Sequence, residues 1–379
     1  MKILDRYILV NFIRNYLIAF LVLIGLYIAL DMVFNFDDLI EPPKSAANMN
    51  LTVFQAILDI IAYYAYQTPL IFVYLSGMIA VVGAAFTLMR LSRFNELTAI
   101  MAAGMSLRRV ALPIILAGVG LNVILVLDQE LLIPRIAYKL IRKHEDMHTE
   151  TPKSFTVQMM QDDHNGLLCA ARYTPPADGM PATIDFLDVN MRDENSLPCG
   201  HIKADRAVWD DSAKCWRLTN GIYTQVLRPN ENRIAPDTPV ATYKSDITPD
   251  EIALWRGGQY VALLPTRRID QLLQRPKSYG VIDLLRAKNL RFTQPLSNVI
   301  LLLLAAPSVL TREPGKLRLA AMKCLFLCGL CLGTIFLTYQ LAATPPTATW
   351  ILFWPALMAW IPIFIFGPLS ALLLDRLKT

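Results

Sequence analysis

A set of apolar runs, each about as long as a bilayer is thick, limits most strongly what this chain can fold into. A helix needs ~20 apolar residues to cross the hydrocarbon core. Ile8–Phe34, Val110–Ile133, Phe292–Leu310, Leu319–Leu341 and Trp350–Leu374 meet that requirement, and Phe54–Met89 exceeds it. Pro69 divides this long run, since proline removes a helical hydrogen bond and kinks the chain. The reading there is an amphipathic lead-in over 54–67 and a membrane core over 70–89. Pro355, Pro362 and Pro368 in the last run require compensation from neighbouring helices. Hydrophobic residues make up 54% of the 379, more than an ordinary soluble chain carries. The first run lacks the short apolar region and small-residue cleavage site of a signal peptide, so it is expected to be retained. Six membrane spans follow.

Between the third and fourth runs the period changes. Alternating segments such as Thr183–Val189 and Gly221–Val226 are separated by turn clusters at Asp178-Gly179, Arg192–Ser196 and Asn220-Gly221. Alternation bounded by such clusters predicts short antiparallel strands in a sandwich or roll. The expected fold is therefore membrane α-helical, with an inserted all-β, jellyroll-like unit. The expected boundaries are 1–134 for spans 1 to 3, 135–278 for the insert with its helical linkers, and 279–379 for spans 4 to 6. Of the six cysteines, Cys324, Cys328 and Cys331 recur at helical spacing in an apolar run and should pack as small hydrophobes. Cys169, Cys199 and Cys215 lie in the insert, where three thiols allow one disulfide at most.

Charge sets the orientation. Lys2, Arg6 and Arg14, then Arg90, Arg93, Arg108 and Arg109, then Arg312, Lys316, Arg318 and Lys323, and finally Arg376 and Lys378 fall on one side of a six-span arrangement. The two short loops opposite hold only Lys44. Basic loops are retained in the cytoplasm, so both termini are expected there and the β insert outside.

No G-x-x-x-x-G-K-[ST] phosphate loop or G-x-S-x-G elbow is present. His144 and His148 stand four apart and would share a helix face, but no metal centre or cofactor is expected from them. Asp59, Asp128 and Glu130 fall near span ends, where solvation is possible, and no carboxylate is convincingly placed at mid-membrane, where a proton relay would want one. An enzyme acting alone is not expected, and nothing points to nucleic acid.

Two polar features remain. The stretch 90–109 is bracketed by arginines, and Glu96–Ala103 reads as one or two turns of helix. Gly104 stands at its C′ position, where the left-handed conformation is cheap without a Cβ. Its charged ends keep it at the membrane surface, available to a partner. The second feature lies on the outer side. Arg135, Lys139 and Arg142 recur at i, i+4, i+7 with Lys143 beside them, and Arg286, Lys288 and Arg291 precede the fourth run. Lysine and arginine pair with phosphate oxygens, so this cuff suits the headgroup of an anionic lipid; snorkelling anchors are the plainer alternative.

Several stretches together resemble the LptF/LptG permeases of the lipopolysaccharide exporter, closer to the LptG branch. They are ILDRYIL from Ile3, RFNELTAIMAAGMSLRRV from Arg93, DQELLIP from Asp128, AVWDDSAKCWRLTNGIY from Ala207, RFTQPLSNVILLLLAAP from Arg291 and PPTATWILFWPALMAWIPIFIFG from Pro345. The resemblance implies a multi-pass protein of the cell inner membrane with a periplasmic β-jellyroll. It implies three protein partners: a second LptF/LptG-type permease, a cytoplasmic LptB-like ATPase dimer and a periplasmic LptC-like jellyroll protein. The cargo would be lipopolysaccharide or a related anionic glycolipid. Glu96 would then be the coupling-helix carboxylate that meets the ATPase, with Arg93, Ala103 and Gly104 around it. Arg135, Lys139, Arg142, Lys143 and Arg291 would meet the lipid headgroup. The family's basic contact near the outer end of the first span is replaced here by Asp31, Asp37 and Asp38. The alternatives are a membrane scaffold whose β unit binds a partner, and an ion-coupled transporter.

Overall fold

A computed structural model describes residues 3–35, 53–140, 154–176, 180–193, 197–226, 236–249, 251–252, 260–274, 280–310 and 317–375. Its elements fall into two compact units. One comprises Met1–Phe34, Gln67–Ile133 and Ile282–Thr379; the other comprises Asn35–Tyr66 and Pro134–Val281.

Helices α1 (Ile3–Phe34), α2 (Val53–Arg93), α3 (Glu96–Ala102) and α4 (Leu107–Leu127) come first. A π-helical turn, Asp128–Leu132, leads from α4 into α5 (Ile133–Leu140). After the strands, a helical turn Tyr260–Leu263 precedes α6 (Thr266–Leu273). The chain then forms α7 (Val281–Val309), α8 (Leu317–Leu341) and α9 (Trp354–Asp375). Among the described residues, six helices are long and apolar enough to cross a membrane: Ile3–Phe34, Ile60–Arg93, Leu107–Ala137, Val281–Val309, Arg318–Leu341 and Trp354–Asp375.

Two boundaries differ from the sequence expectation. Pro69 does not divide α2, which runs through it as one helix; an interior proline is tolerated in a membrane helix when surroundings re-satisfy the freed backbone group. The polar lead 281–291 is helical and continuous with the fourth span. Cys324, Cys328 and Cys331 are buried in the helical core, as their spacing predicts, and Cys169, Cys199 and Cys215 are free thiols.

A polar seam ties α2, the α4 segment and α7 together. Asn298 Nδ2 donates to Ser76 Oγ at 3.1 Å and to Asn122 Oδ1 at 3.0 Å. Gln294 Nε2 donates to the Val73 carbonyl at 2.5 Å, and its Oε1 accepts from Gln129 Nε2 at 2.9 Å. In an apolar surround each of these amides needs such partners, since an unmade hydrogen bond there is expensive. Gly77 makes room for the seam: a Cβ there would come within 2.6 Å of Asn298 Oδ1.

Among the described residues the insert forms an eight-stranded antiparallel sheet. Its strands are β1 (Phe155–Gln161), β2 (Leu167–Thr174), β3 (Thr183–Arg192), β4 (Pro198–Asp210), β5 (Cys215–Thr219), β6 (Ile222–Gln225), β7 (Thr238–Pro239) and β8 (Thr242–Tyr243). They run β1-β2-β3-β4-β5-β8, with β6 pairing both β4 and β7. The long β4 serves two partners, pairing β6 through Gly200–Lys203 and β5 through Arg206–Asp210. Trp216 is fully buried, and its Nε1 donates to the Ile247 carbonyl at 3.1 Å. Tyr243 donates to the Asp162 carboxylate. Burial, and then the charge of Asp162, push its hydroxyl well above the ordinary tyrosine value, so it stays a donor.

Removing the centre of the seam should loosen the helical unit. Asn298→Ala is expected to destabilise it by roughly 0.6–2 kcal/mol, the span found for interhelical hydrogen bonds in membranes, in an unfolding titration in mixed micelles. An unchanged midpoint would contradict a stabilising seam.

Candidate functional site

Seven residues form α3, too few to be stable as an isolated helix. It holds its shape because its ends are specified and one face is buried. Asn95 at the N-cap is left-handed, with φ 58°. Gly104 has φ 74° with open space around the position of a Cβ. Gly104 N–H bonds the Met101 carbonyl at 2.9 Å and Met105 N–H the Ile100 carbonyl at 3.3 Å. These are the paired bonds of a Schellman motif, which needs a left-handed residue at C′. Leu97 and Ile100 are buried in the core that also takes Ile8, Phe12, Leu91 and Val110.

The opposite face is open. Arg93, Phe94, Thr98, Ala99, Ala102, Ala103 and Gly104 are all exposed. Phe94 is 64% exposed, a large apolar ring beside a face of small side chains. Sequence reasoning missed Phe94, although one aromatic set between Arg93 and Asn95 was the available signal. Glu96 opens the helix, where a carboxylate suits the positive end of the macrodipole. Its Oε2 accepts a hydrogen bond from the Tyr7 hydroxyl at 2.8 Å. Beyond Gly104, Arg108 donates from Nε to the Leu374 carbonyl at 3.1 Å and from its terminal nitrogen to Asp375 at 2.6 Å. A cation there satisfies the last carbonyls of α9.

The basic residues flanking the third and fourth spans divide. Arg135 is exposed on α5, and Lys139 belongs to the same helix. Arg142 and Lys143 lie outside the described residues. Arg291 is turned inward: its side chain is 9% exposed and pairs with Glu130 Oε1 at 3.2 Å. Arg286 stacks 4.3 Å from the Tyr339 ring centre and donates to the Tyr339 carbonyl at 2.9 Å. It also pairs with Asp283 at 3.1 Å. Asp128 is buried rather than solvated, and neither carboxylate oxygen has a hydrogen-bond partner among the described residues.

The β unit contributes a groove of about 920 Å³ lined by Met159, Phe186, Ile222, Asp188, Lys203 and Asp205, among others. It lies where strand alternation slips by one residue across four neighbouring strands. Val157 and Met160, Ala170 and Tyr173, Ile184 and Leu187, and Ala204 and Ala207 are buried pairs three apart rather than two. Met159 and Phe186 take positive φ, 42° and 54°, a conformation that bulky side chains rarely adopt. Phe186 is thereby turned outward, 68% exposed. Strain of this kind clusters at binding sites.

The histidine expectation needs one correction from the sequence itself. His144-Glu145-Asp146-Met147-His148 has the H-E-x-x-H form in which two histidines one turn apart hold zinc beside a general base. All five residues lie outside the described residues, so the motif has spacing here but no geometry.

These features define a polytopic membrane protein with an anchored surface helix and a grooved β insert. A family model described as lipopolysaccharide export system permease LptF/LptG matches residues 6–376. The chain belongs to this family of lipopolysaccharide export permeases, whose members are not themselves catalytic. No single curated protein matches the chain.

The Arg291–Glu130 pair gives a direct test of whether this arginine is structural. Glu130→Gln alone should destabilise the helical unit by about 1.5–3 kcal/mol, because it removes the charge facing the inward-turned guanidinium. Adding Arg291→Met should restore most of that loss in the same micellar titration.

Proposed function

We propose that this chain is the permease half-site of an ATP-driven exporter in the cell inner membrane, with both termini and α3 in the cytoplasm and the β unit in the periplasm. The distribution of lysine and arginine among the short connections supports this orientation. An LptB-like ATPase dimer docks on α3 and supplies the free energy. A second LptF/LptG-type permease completes the membrane pathway, and an LptC-like protein continues the route beyond the β unit.

The single observation that carries this reading is the two-sidedness of α3: Leu97 and Ile100 buried, Phe94 and the alanines presented outward, and Glu96 at the edge. Small side chains allow a partner's backbone close, Phe94 supplies an apolar anchor, and Glu96 offers a carboxylate to a basic group. Arg93, Ala103 and Gly104 complete the rim of this socket.

On the other side, Arg135 and Lys139, continued in sequence by Arg142 and Lys143, meet the anionic headgroup of the lipid. Arg291 contributes by fixing Glu130 and the π turn. The groove suits an amphiphile: Met159, Phe186 and Ile222 offer apolar contact to acyl chains, and Lys203 offers a charge to phosphate. Lipopolysaccharide combines both chemistries.

Glu96→Lys is expected to uncouple ATP hydrolysis from lipid release without unfolding the spans. In proteoliposomes carrying the copurified ATPase, lipid released per ATP should fall at least about tenfold, as losing a charge-assisted contact implies. Normal release by this variant would remove the socket.

A further inference from the structure

We propose that Tyr7 is a positioning residue for the coupling carboxylate, its hydroxyl holding Glu96 and tying the coupling helix to the first span. This rests on the coupling role proposed for α3. The Tyr7 hydroxyl meets Glu96 Oε2 at 2.8 Å across 89 residues of sequence. Glu96 is the first residue of α3 and only partly buried, so packing alone leaves its side chain several rotamers. A hydrogen bond to an ionised carboxylate is among the stronger side-chain contacts, and this one selects the rotamer. With Oε2 occupied, Oε1 is the atom that a cationic partner would meet.

The far end of the contact is well held. Directly after Tyr7, Ile8 and Phe12 are fully buried, and Tyr16 and Ala19 nearly so. Asn15 Nδ2 donates to Thr87 Oγ1 at 2.9 Å. At Gly83 the two backbones approach so closely that a Cβ would lie 2.9 Å from Tyr16 Cα. Beyond Ala19 only Ile24 of α1 is buried, and Leu21, Val22, Leu26, Leu30 and Val33 are exposed. The first half of α1 is thus packed and the second half uncovered. Tyr7 connects Glu96 to the packed half, so a displacement of Glu96 by a docked partner reaches α1 through a directional bond as well as through the core. Leu97 and Ile100 transmit movement of α3 as a body; the Tyr7 hydroxyl transmits the position of the carboxylate.

The test is a double-mutant cycle on the complete exporter, purified with its ATPase and reconstituted with lipopolysaccharide. Tyr7→Phe removes the hydroxyl and keeps the ring, and Tyr7 is 41% exposed, so the fold loses little packing. It should lower lipid released per ATP hydrolysed by about tenfold, the equivalent of one hydrogen bond to a charged group, with the melting midpoint of the isolated chain little changed. In a Glu96→Gln background the same change should have no further effect, because Tyr7 acts through the charge of Glu96. Multiplicative effects in the double variant, or an unchanged ratio for Tyr7→Phe, would overturn the proposal. A fall in melting midpoint matching the loss of activity would show a purely structural contact and also overturn it. Failure of the coupling role itself would read differently: Glu96→Lys would then release lipid normally, whatever Tyr7→Phe does.

Discussion

The packing of Leu97 and Ile100 into the helical core is the contact on which the account depends. Burying two such side chains contributes about 2 kcal/mol each, enough to fix a seven-residue helix that could not persist alone. Because both anchors lie on one face, the other face is presented in a fixed orientation. The core they enter also holds the first half of α1 and the start of α4. A push on the exposed face therefore acts on packed helices and not on a loose connection.

The polar groups of the helical unit follow the same logic of satisfaction in an apolar surround. Asn298, Gln294 and Gln129 find one another and Ser76, Asn122 and a backbone carbonyl. Arg291 finds Glu130, and Arg286 finds the end of α8. Arg291 and Arg286, with their partners across the helices, hold the fold. Asp128 is the exception in sign and in satisfaction, buried in a π turn with no partner among the described residues. Such turns are frequent at functional sites.

The architecture was legible in the sequence because its signals are local. Span length, a change of period and a glycine after a short helix each report on a few neighbouring residues, and Gly104 takes the expected left-handed conformation. What was not legible depends on partners far along the chain. Nothing near Arg291 in sequence announces Glu130, which lies 161 positions away, so the arginine read as a free cation. Strict alternation over Thr183–Val189 would put Ile184 and Phe186 on one face; the fold instead buries Ile184, Leu187 and Val189 and turns Phe186 outward. That slip recurs across four paired strands, and only their pairing reveals it. The continuity of α2 through Pro69 has a similar cause, since tertiary surroundings override a local breaker.

The central claim is that the exposed face of α3 receives the ATPase. The most direct measurement places a photocrosslinking amino acid at Ala99 and at Ala102 in cells and identifies what is captured. The account predicts a crosslink from both positions to a nucleotide-hydrolysing subunit, identified by mass spectrometry and lost when that subunit is depleted. Capture of lipid alone from both positions would contradict it, leaving α3 as a helix docked on the membrane surface.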